Sequence, residues 1–214
     1  MAYTPDQLQV MDAIIKRYPR SRSAIMPLLH YVQSIAGYVT NEGIELVAKL
    51  LTLETAEVSA VATFYTQYKR KPVGEYHVGV CTNTLCAVMG GDAIFAALKE
   101  HLGVENDGVT ADGKVSLEHI ECNAACDYAP VVMANWEFYD NQDVSSAKEL
   151  VDSMRKGTPK PPTRGPNSLV TWKEASAVLA GINDGKANEG LQAGEPTLLG
   201  LNGEQRGLLH LGYK

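Results

Sequence analysis

Through the first seventy positions apolar residues return every three or four places, the period of an amphipathic helix. Leu8, Met11, Ile14 and Ile15 form one such stripe. Thr4 and Gln7 have capping-box spacing at its start, Pro5 takes the first helical position, and "YPRS" ends it. A second helix is predicted from Ala24 to about Ala36, with Leu28, Leu29, Val32 and Ile35 on one face and Gly37 at its C-terminal end. A third starts near Asn41 and carries Ile44, Val47, Ala48 and Leu51; a fourth covers about Thr55 to Ala62. Short helices joined by short connections predict a small helical bundle over residues 1–74.

Beyond "KRKPVG" the period shortens. "YHVGV" alternates and then becomes apolar as a strand does, "DAIFAALKEHLG" is an amphipathic helix closed by Gly103, and "ENDGVTADGK" is rich in turn residues. "VSLEHIEC" reads as a strand, "PVVMAN" and "EFYDN" as two more joined at Asn135–Trp136, and Asp143 opens a last helix with Ala147, Leu150, Val151 and Met154. The order β-α-β followed by β-β-α is that of a thioredoxin-like α/β sandwich, placed at residues 75–158. The fold class is therefore mixed α+β or α/β: a helical bundle, then the sandwich, then an extended tail over 159–214. That tail is Pro- and Gly-rich and predicts one short helix, "TWKEASAVLAG", with Thr171 and Glu174 at capping-box spacing and Gly181 closing it. "NDGKANEGLQAGEPTLLGLNGEQRG" has too few apolar residues to bury itself and is expected to be disordered or to lie along a partner.

Composition narrows the classes. The chain has 214 residues, 45% hydrophobic and 21% charged, with a formal net charge of −6, which is ordinary for a globular protein. No block of lysine or arginine offers a nucleic-acid or anionic-membrane footprint, and "YKRKP" at 68–72 reads as a solvated linker. The start, "MAYTPDQLQVMDAI", has no basic region followed by an apolar one, and no apolar run approaches the roughly 20 residues of a membrane span. The expectation is a soluble cytosolic protein, where clustered thiols serve metal binding or redox chemistry more often than disulfides.

All four cysteines lie in two short segments, "VGVCTNTLCAVMGG" and "IECNAACDYAPVV". Cys81 and Cys86 are spaced C-x4-C, 35 residues intervene, and Cys122 and Cys126 are spaced C-x3-C. Each pair follows a predicted strand, where sites of open α/β sheets collect. Side by side, the two strands would let four thiolates surround one centre. Three chemistries fit such a set: two disulfides, a structural zinc site, and an iron–sulfur cluster, for which C-x4-C is a known opening spacing. The small or polar Thr82, Asn83, Thr84, Asn123, Ala124 and Ala125 would let backbone N–H groups approach sulfur. His30, His77, His101, His119 and His210 have no metal-binding spacing, and His119 reads as structural despite its place near Cys122. "MGGD" reads as a glycine turn into a helix, and the aromatics of "TFYTQY" as core or interface. Phosphate loops, dinucleotide fingerprints and nucleophile elbows are not found.

"VATFYTQYKRKPVGEYHVGVCTNTLC" and "ECNAACDYAPVVMAN" together closely resemble the small [2Fe–2S] protein, the E-type subunit, of the proton-pumping NADH:quinone oxidoreductase, complex I of the respiratory chain. "MPLLHYVQSIAGYV" and "ELVAKLLTLETAEVSAVATFY" extend the resemblance to about residues 5–158. It implies that Cys81, Cys86, Cys122 and Cys126 ligate one [2Fe–2S] cluster. It also implies a larger partner subunit that holds FMN and binds NADH, alongside other peripheral-arm subunits. The chain would then be an electron-transport subunit of an oxidoreductase and translocase, with no complete active site of its own. It would lie peripherally on the cytoplasmic face of the inner or plasma membrane, or on the matrix side if mitochondrial, without inserting. Where the family often has glycine inside C-x3-C, this chain has Ala124. The alternatives are the equivalent diaphorase subunit of a soluble NAD-linked hydrogenase or formate dehydrogenase, and a structural zinc or cluster-bearing assembly subunit. A lone cluster passes one electron at a time whereas hydride oxidation delivers two, so the flavin that splits the pair must be on another chain. Glu121 and Asp127 flank the second pair and would disfavour an added electron.

Overall fold

The computed structural model describes residues 3–195 together with 198 and 199; His210 and, within the low-hydrophobicity segment 183–207, residues 196, 197 and 200–207 lie outside the described residues. The chain forms two compact units. One comprises residues 3–72 with Lys173–Gly185; the other comprises Val73–Trp172 with Lys186–Gly194.

In the first unit α1 (Pro5–Ile15) begins with the Thr4–Gln7 capping box. A 3-10 turn at Ser21–Ala24 leads into α2 (Ile25–Ala36), which Gly37 ends in the left-handed region at φ 86°. Next come α3 (Asn41–Leu51) and α4 (Thr55–Phe64). The latter starts from a Glu54–Glu57 capping box and runs one half-turn beyond the predicted end. Met11, Ile14, Leu28, Leu29, Val32, Val47 and Val58 are essentially inaccessible and form the shared core.

Gln33 lies in that core with every bond made. Its Nε2 donates to the Gln67 carbonyl at 3.1 Å and to Ser176 Oγ at 3.3 Å, and its Oε1 accepts from the Lys69 amide at 2.8 Å. The "YKRKP" segment, expected to be a solvated linker, is therefore fastened. Tyr68 is buried and donates to the Met26 carbonyl, and Arg70 donates to the Val39 carbonyl and to Asn41. A short basic run reads as solvated only if its backbone has no partner, and here Val39 and Gln33 supply partners that sequence spacing does not reveal.

The second unit is a five-stranded sheet in the order β2-β3-β1-β4-β5. Its strands are β1 (Tyr76–Cys81), β2 (Gly108–Val109), β3 (Val115–Ile120), β4 (Val132–Ala134) and β5 (Glu137–Tyr139). Strands β1 and β3 run parallel, with Cys81 opposite Ile120, and the other pairings are antiparallel. Between β1 and β2 stand a five-residue helix, α5 (Thr84–Val88), and α6 (Gly91–Leu102); α7 (Val144–Arg155) follows β5. The short α5 and the two-residue β2 are additions to the predicted order, each too brief to show a period.

All six residues of β1 are buried, as a central strand covered on both faces must be. Val78 and Val80 point into a core shared with Ile94 and Leu98 of α6 and Leu150, Val151 and Met154 of α7. Cys81 belongs to a second cluster with Cys86, Ile120, Val131 and Met133.

The Pro-rich stretch after α7 is not free. Tyr139 donates to the Lys160 carbonyl, the Thr163 amide to Phe138, and Asn135 Nδ2 to the Val170 carbonyl at 2.7 Å, while the Trp172 amide donates to Glu75. Trp172, 1% exposed, opens α8 (Trp172–Leu179), the helix predicted within the tail. In the first unit Ser176 meets Gln33, Arg17 donates to the Gly181 carbonyl and Lys173 to that of Ile35.

His30, buried in α2, has an Nδ1 with no hydrogen-bond partner and a ring 4.7 Å from that of Tyr68. Burial holds its pKa down at about 4, below the usual 6.5. The unfolded chain therefore takes up a proton that the folded one refuses, and stability falls as pH drops from about 6.5 towards 4. The full effect is up to about 3 kcal/mol. In denaturant titrations between pH 7 and pH 4.5, His30→Leu should flatten this acid-side loss; an unchanged slope would assign it to other groups.

Candidate metal centre

The parallel register of β1 and β3 brings the two cysteine segments together. Cys81 is the last residue of β1, and its partner Ile120 ends β3 two residues before Cys122. From Cys81 the chain turns into α5, with Asn83 at the N-cap position but its side chain turned away from the helix, and Cys86 sits in that helix facing inward. Asn83 Nδ2 donates to the Ile120 carbonyl at 3.3 Å, tying the first segment to the root of the second. Gly90, at φ 113°, reverses the chain into α6. There is no room for a side chain at Gly91, because a Cβ there would overlap the Cys81 carbonyl oxygen and come within 2.9 Å of that of Cys86. In the second segment Ala124 takes φ 56°, and Cys126 opens a 3-10 turn, Cys126–Tyr128.

The four cysteines line one pocket with Asn123, Ala125 and Val131, and it opens to solvent. Cys81 and Cys86 form its buried side, and Cys122 and Cys126 its exposed rim. Cys122 Sγ and Cys126 Sγ are 3.5 Å apart. Two thiolates on one tetrahedral metal stand about 3.7 Å apart, given metal–sulfur bonds near 2.3 Å. Among the described residues no three His, Cys, Asp or Glu side chains are grouped so as to enclose a single ion. Four thiols brought to one pocket are the kind of donor set that an iron–sulfur cluster takes.

Burial pushes the Cys81 thiol up to about 11, with the thiols of Cys86 and Cys122 adding to the rise. A hydrogen bond with Cys122, and its charge, raise Cys126. Metal-free, these thiols hold their protons, so metal binding must release them. The Ala124 amide donates to Cys122 Sγ at 3.4 Å, the kind of contact that tunes a sulfur ligand.

Glu121 and Asp127 are exposed beside the rim. His119 is exposed, does not line the pocket, and places its ring 6.1 Å from that of Phe95. Sequence spacing gave no sign of Asn83 as a cross-link or of Val131 as a wall. The same is true of the buried His77, whose ring nitrogens meet Ser116 Oγ at 3.0 Å and Glu118 Oε2 at 2.8 Å. Alternation along β3 puts Ser116 and Glu118 on one face, but only strand register brings His77 between them. Leu85, Val88 and Met89, next to Cys86, are exposed at 43%, 81% and 54%.

Residues 11–155 match the model of the thioredoxin-like [2Fe–2S] ferredoxin family. The chain belongs to that family. The E-type subunit of NADH-quinone oxidoreductase from Mycobacterium tuberculosis is 60% identical over 205 residues, covering 94% of this chain and 81% of the relative. The E-type subunit from Rickettsia bellii is 40% identical over 157 residues, which cover 72% of this chain and 94% of the relative. Among solved structures, an NAD+-reducing [NiFe]-hydrogenase in its H2-reduced state aligns with a TM-score of 0.55 at 18% identity, covering 63% of this chain and 23% of that one. That likeness is one of fold.

As in other thioredoxin-like [2Fe–2S] ferredoxins, the group to be accommodated is one [2Fe–2S] cluster, and the four converging thiols suit it. The Gly91 contacts show how tightly the inner pair is set. Gly91→Ala should cost about 1–3 kcal/mol through forced displacement of the Cys81 and Cys86 backbones. A denaturant midpoint equal to that of the unsubstituted protein would show that the site can absorb a methyl group.

Proposed function

We propose that this chain is the E-type, electron-transferring subunit of an NADH-quinone oxidoreductase and that Cys81, Cys86, Cys122 and Cys126 hold its [2Fe–2S] cluster. The observation that carries the reading is the convergence of all four thiols on one pocket. Sequence similarity to subunits of that name supplies the context. Bound there, the cluster provides a one-electron carrier.

The protein's own residues shape that carrier. Cys81 and Cys86 anchor it at the end of the central strand β1, packed with Ile120, Val131 and Met133. Cys122 and Cys126 hold the side nearest solvent, where a partner's redox group can approach. FMN and NADH belong to a partner subunit in this reading, since the chain has no nucleotide-binding motif. The exposed Leu85, Val88 and Met89 beside Cys86 supply an apolar margin for docking that partner. Among the described residues no helix is long and apolar enough to cross a membrane. That fits a peripheral place in the assembly, on the cytoplasmic face of the membrane or on the matrix side if mitochondrial. The diaphorase of a soluble hydrogenase is the second reading, favoured by the shared fold. Subunits that co-purify with the chain distinguish the two.

Anaerobically purified protein should contain about two irons and two acid-labile sulfides per chain and give an S = 1/2 EPR signal after dithionite. Cys81→Ala and Cys122→Ala should each abolish that signal. One zinc with no signal, resisting iron reconstitution, would instead make the thiols a structural clasp. The carboxylate of Asp127, next to Cys126, opposes the negative charge that reduction adds. Asp127→Asn should raise the midpoint potential by a few tens of mV, the Coulomb scale for one exposed charge. An unchanged potential in a redox titration would remove Asp127 from the tuning.

A further inference from the structure

The Cys126–Tyr128 turn carries a ligand of the proposed centre, and the bonds that close the turn itself are short-range, from the Tyr128 amide to Ala125 and from the Ala129 amide to Cys126. Its remaining support comes from residues well downstream. The Asn141 amide donates to the Tyr128 carbonyl at 2.8 Å. Arg164 lays its guanidinium over the Tyr128 ring, 5.0 Å from Cζ to centroid, and over Phe138 of β5 at 4.2 Å. Arg164 is itself aimed by Asp140, which accepts from Nη2 at 2.8 Å and is 8% exposed in its side chain. Asp140 also accepts from Thr163 Oγ1 at 2.8 Å, and Thr163 docks on the Phe138 carbonyl through its amide.

The Nε of Arg164 is buried without a hydrogen-bond partner, so the ring contacts and the single carboxylate are what fix the group. Arg164 stands nine residues beyond the end of the family match at 155. The chain after α7 thus reaches back to brace a turn of the metal centre.

We propose that Arg164 is a positioning residue for the cluster, acting through Tyr128 to hold the turn that carries Cys126. The planar guanidinium suits this task because it covers two ring faces while keeping its ion pair, which an ammonium group does less well. The cluster role rests on the assignment of Cys126 as a ligand; the bracing of the turn does not, so the two are tested separately.

In metal-free full-length protein, Arg164→Met should speed hydrogen exchange of the Tyr128 and Ala129 amides about tenfold, with the amides of β1 unchanged and Arg164→Lys in between. Combining Arg164→Met with Tyr128→Leu should add nothing to the faster single variant, because both remove one contact. In the iron-loaded protein, Arg164→Met should release iron to a chelator about tenfold faster and alter the g-values of the reduced EPR signal. Unchanged exchange in the turn, with loosening confined to residues 160–166, would overturn the brace, as would additive effects in the double variant. Faster exchange with unaltered iron release and EPR would overturn the cluster role. Iron analysis of the unsubstituted chain shows independently whether the ligand assignment holds, and a chain that binds no iron would sink the cluster role with it.

Discussion

The parallel pairing of β1 with β3 is the constraint on which the rest depends. Cys81 lies opposite Ile120 and Cys122 follows two residues later, so the strands deliver their thiols to the same end of the sheet. A slip of one residue would turn every side chain of β1 to the other face, taking Cys81 out of its cluster and Val78 and Val80 out of theirs. Gly79 contributes to the fit, because a Cβ there would lie 2.6 Å from Ile120 Cγ2. The core on one face and the thiols on the other therefore enforce the same register.

From that ladder follows an asymmetry useful for electron exchange. The inner pair is buried in apolar surroundings and the outer pair meets solvent. A centre built this way is gripped by the rigid sheet on one side and remains approachable on the other. The outer segment lacks a regular ladder of its own beyond Ile120, so it needs external support. It has that support through Asn83 at its root, Asn141 on its backbone and Arg164 on its aromatic ring.

The stretch after α7 shows how a Pro- and Gly-rich sequence becomes ordered without a core of its own. Its backbone is fastened bond by bond to β5 and to Asn135, and it ends on the fully buried Trp172. The family match ends at residue 155, so this stretch lies outside the shared family region, and in this protein it touches the periphery of the candidate centre through Arg164.

The sequence by itself determined the start of α1, whose capping box is local, and the four helices of residues 5–64, whose apolar stripes repeat often enough to be read. It determined the strand character of β1 and β3, and it singled out four cysteines by their clustering. Elements of two to five residues, β2 and α5, escaped because they are shorter than any period. Tertiary structure alone decided that the two cysteine segments meet in one pocket, that His77 lies between Ser116 and Glu118, and that "YKRKP" is fastened through Gln33. It alone placed Arg164 over Tyr128. Each of these depends on strand register or on contacts between residues 30 or more positions apart. Local preference is written in the sequence, whereas long-range partnership exists only once the chain has folded.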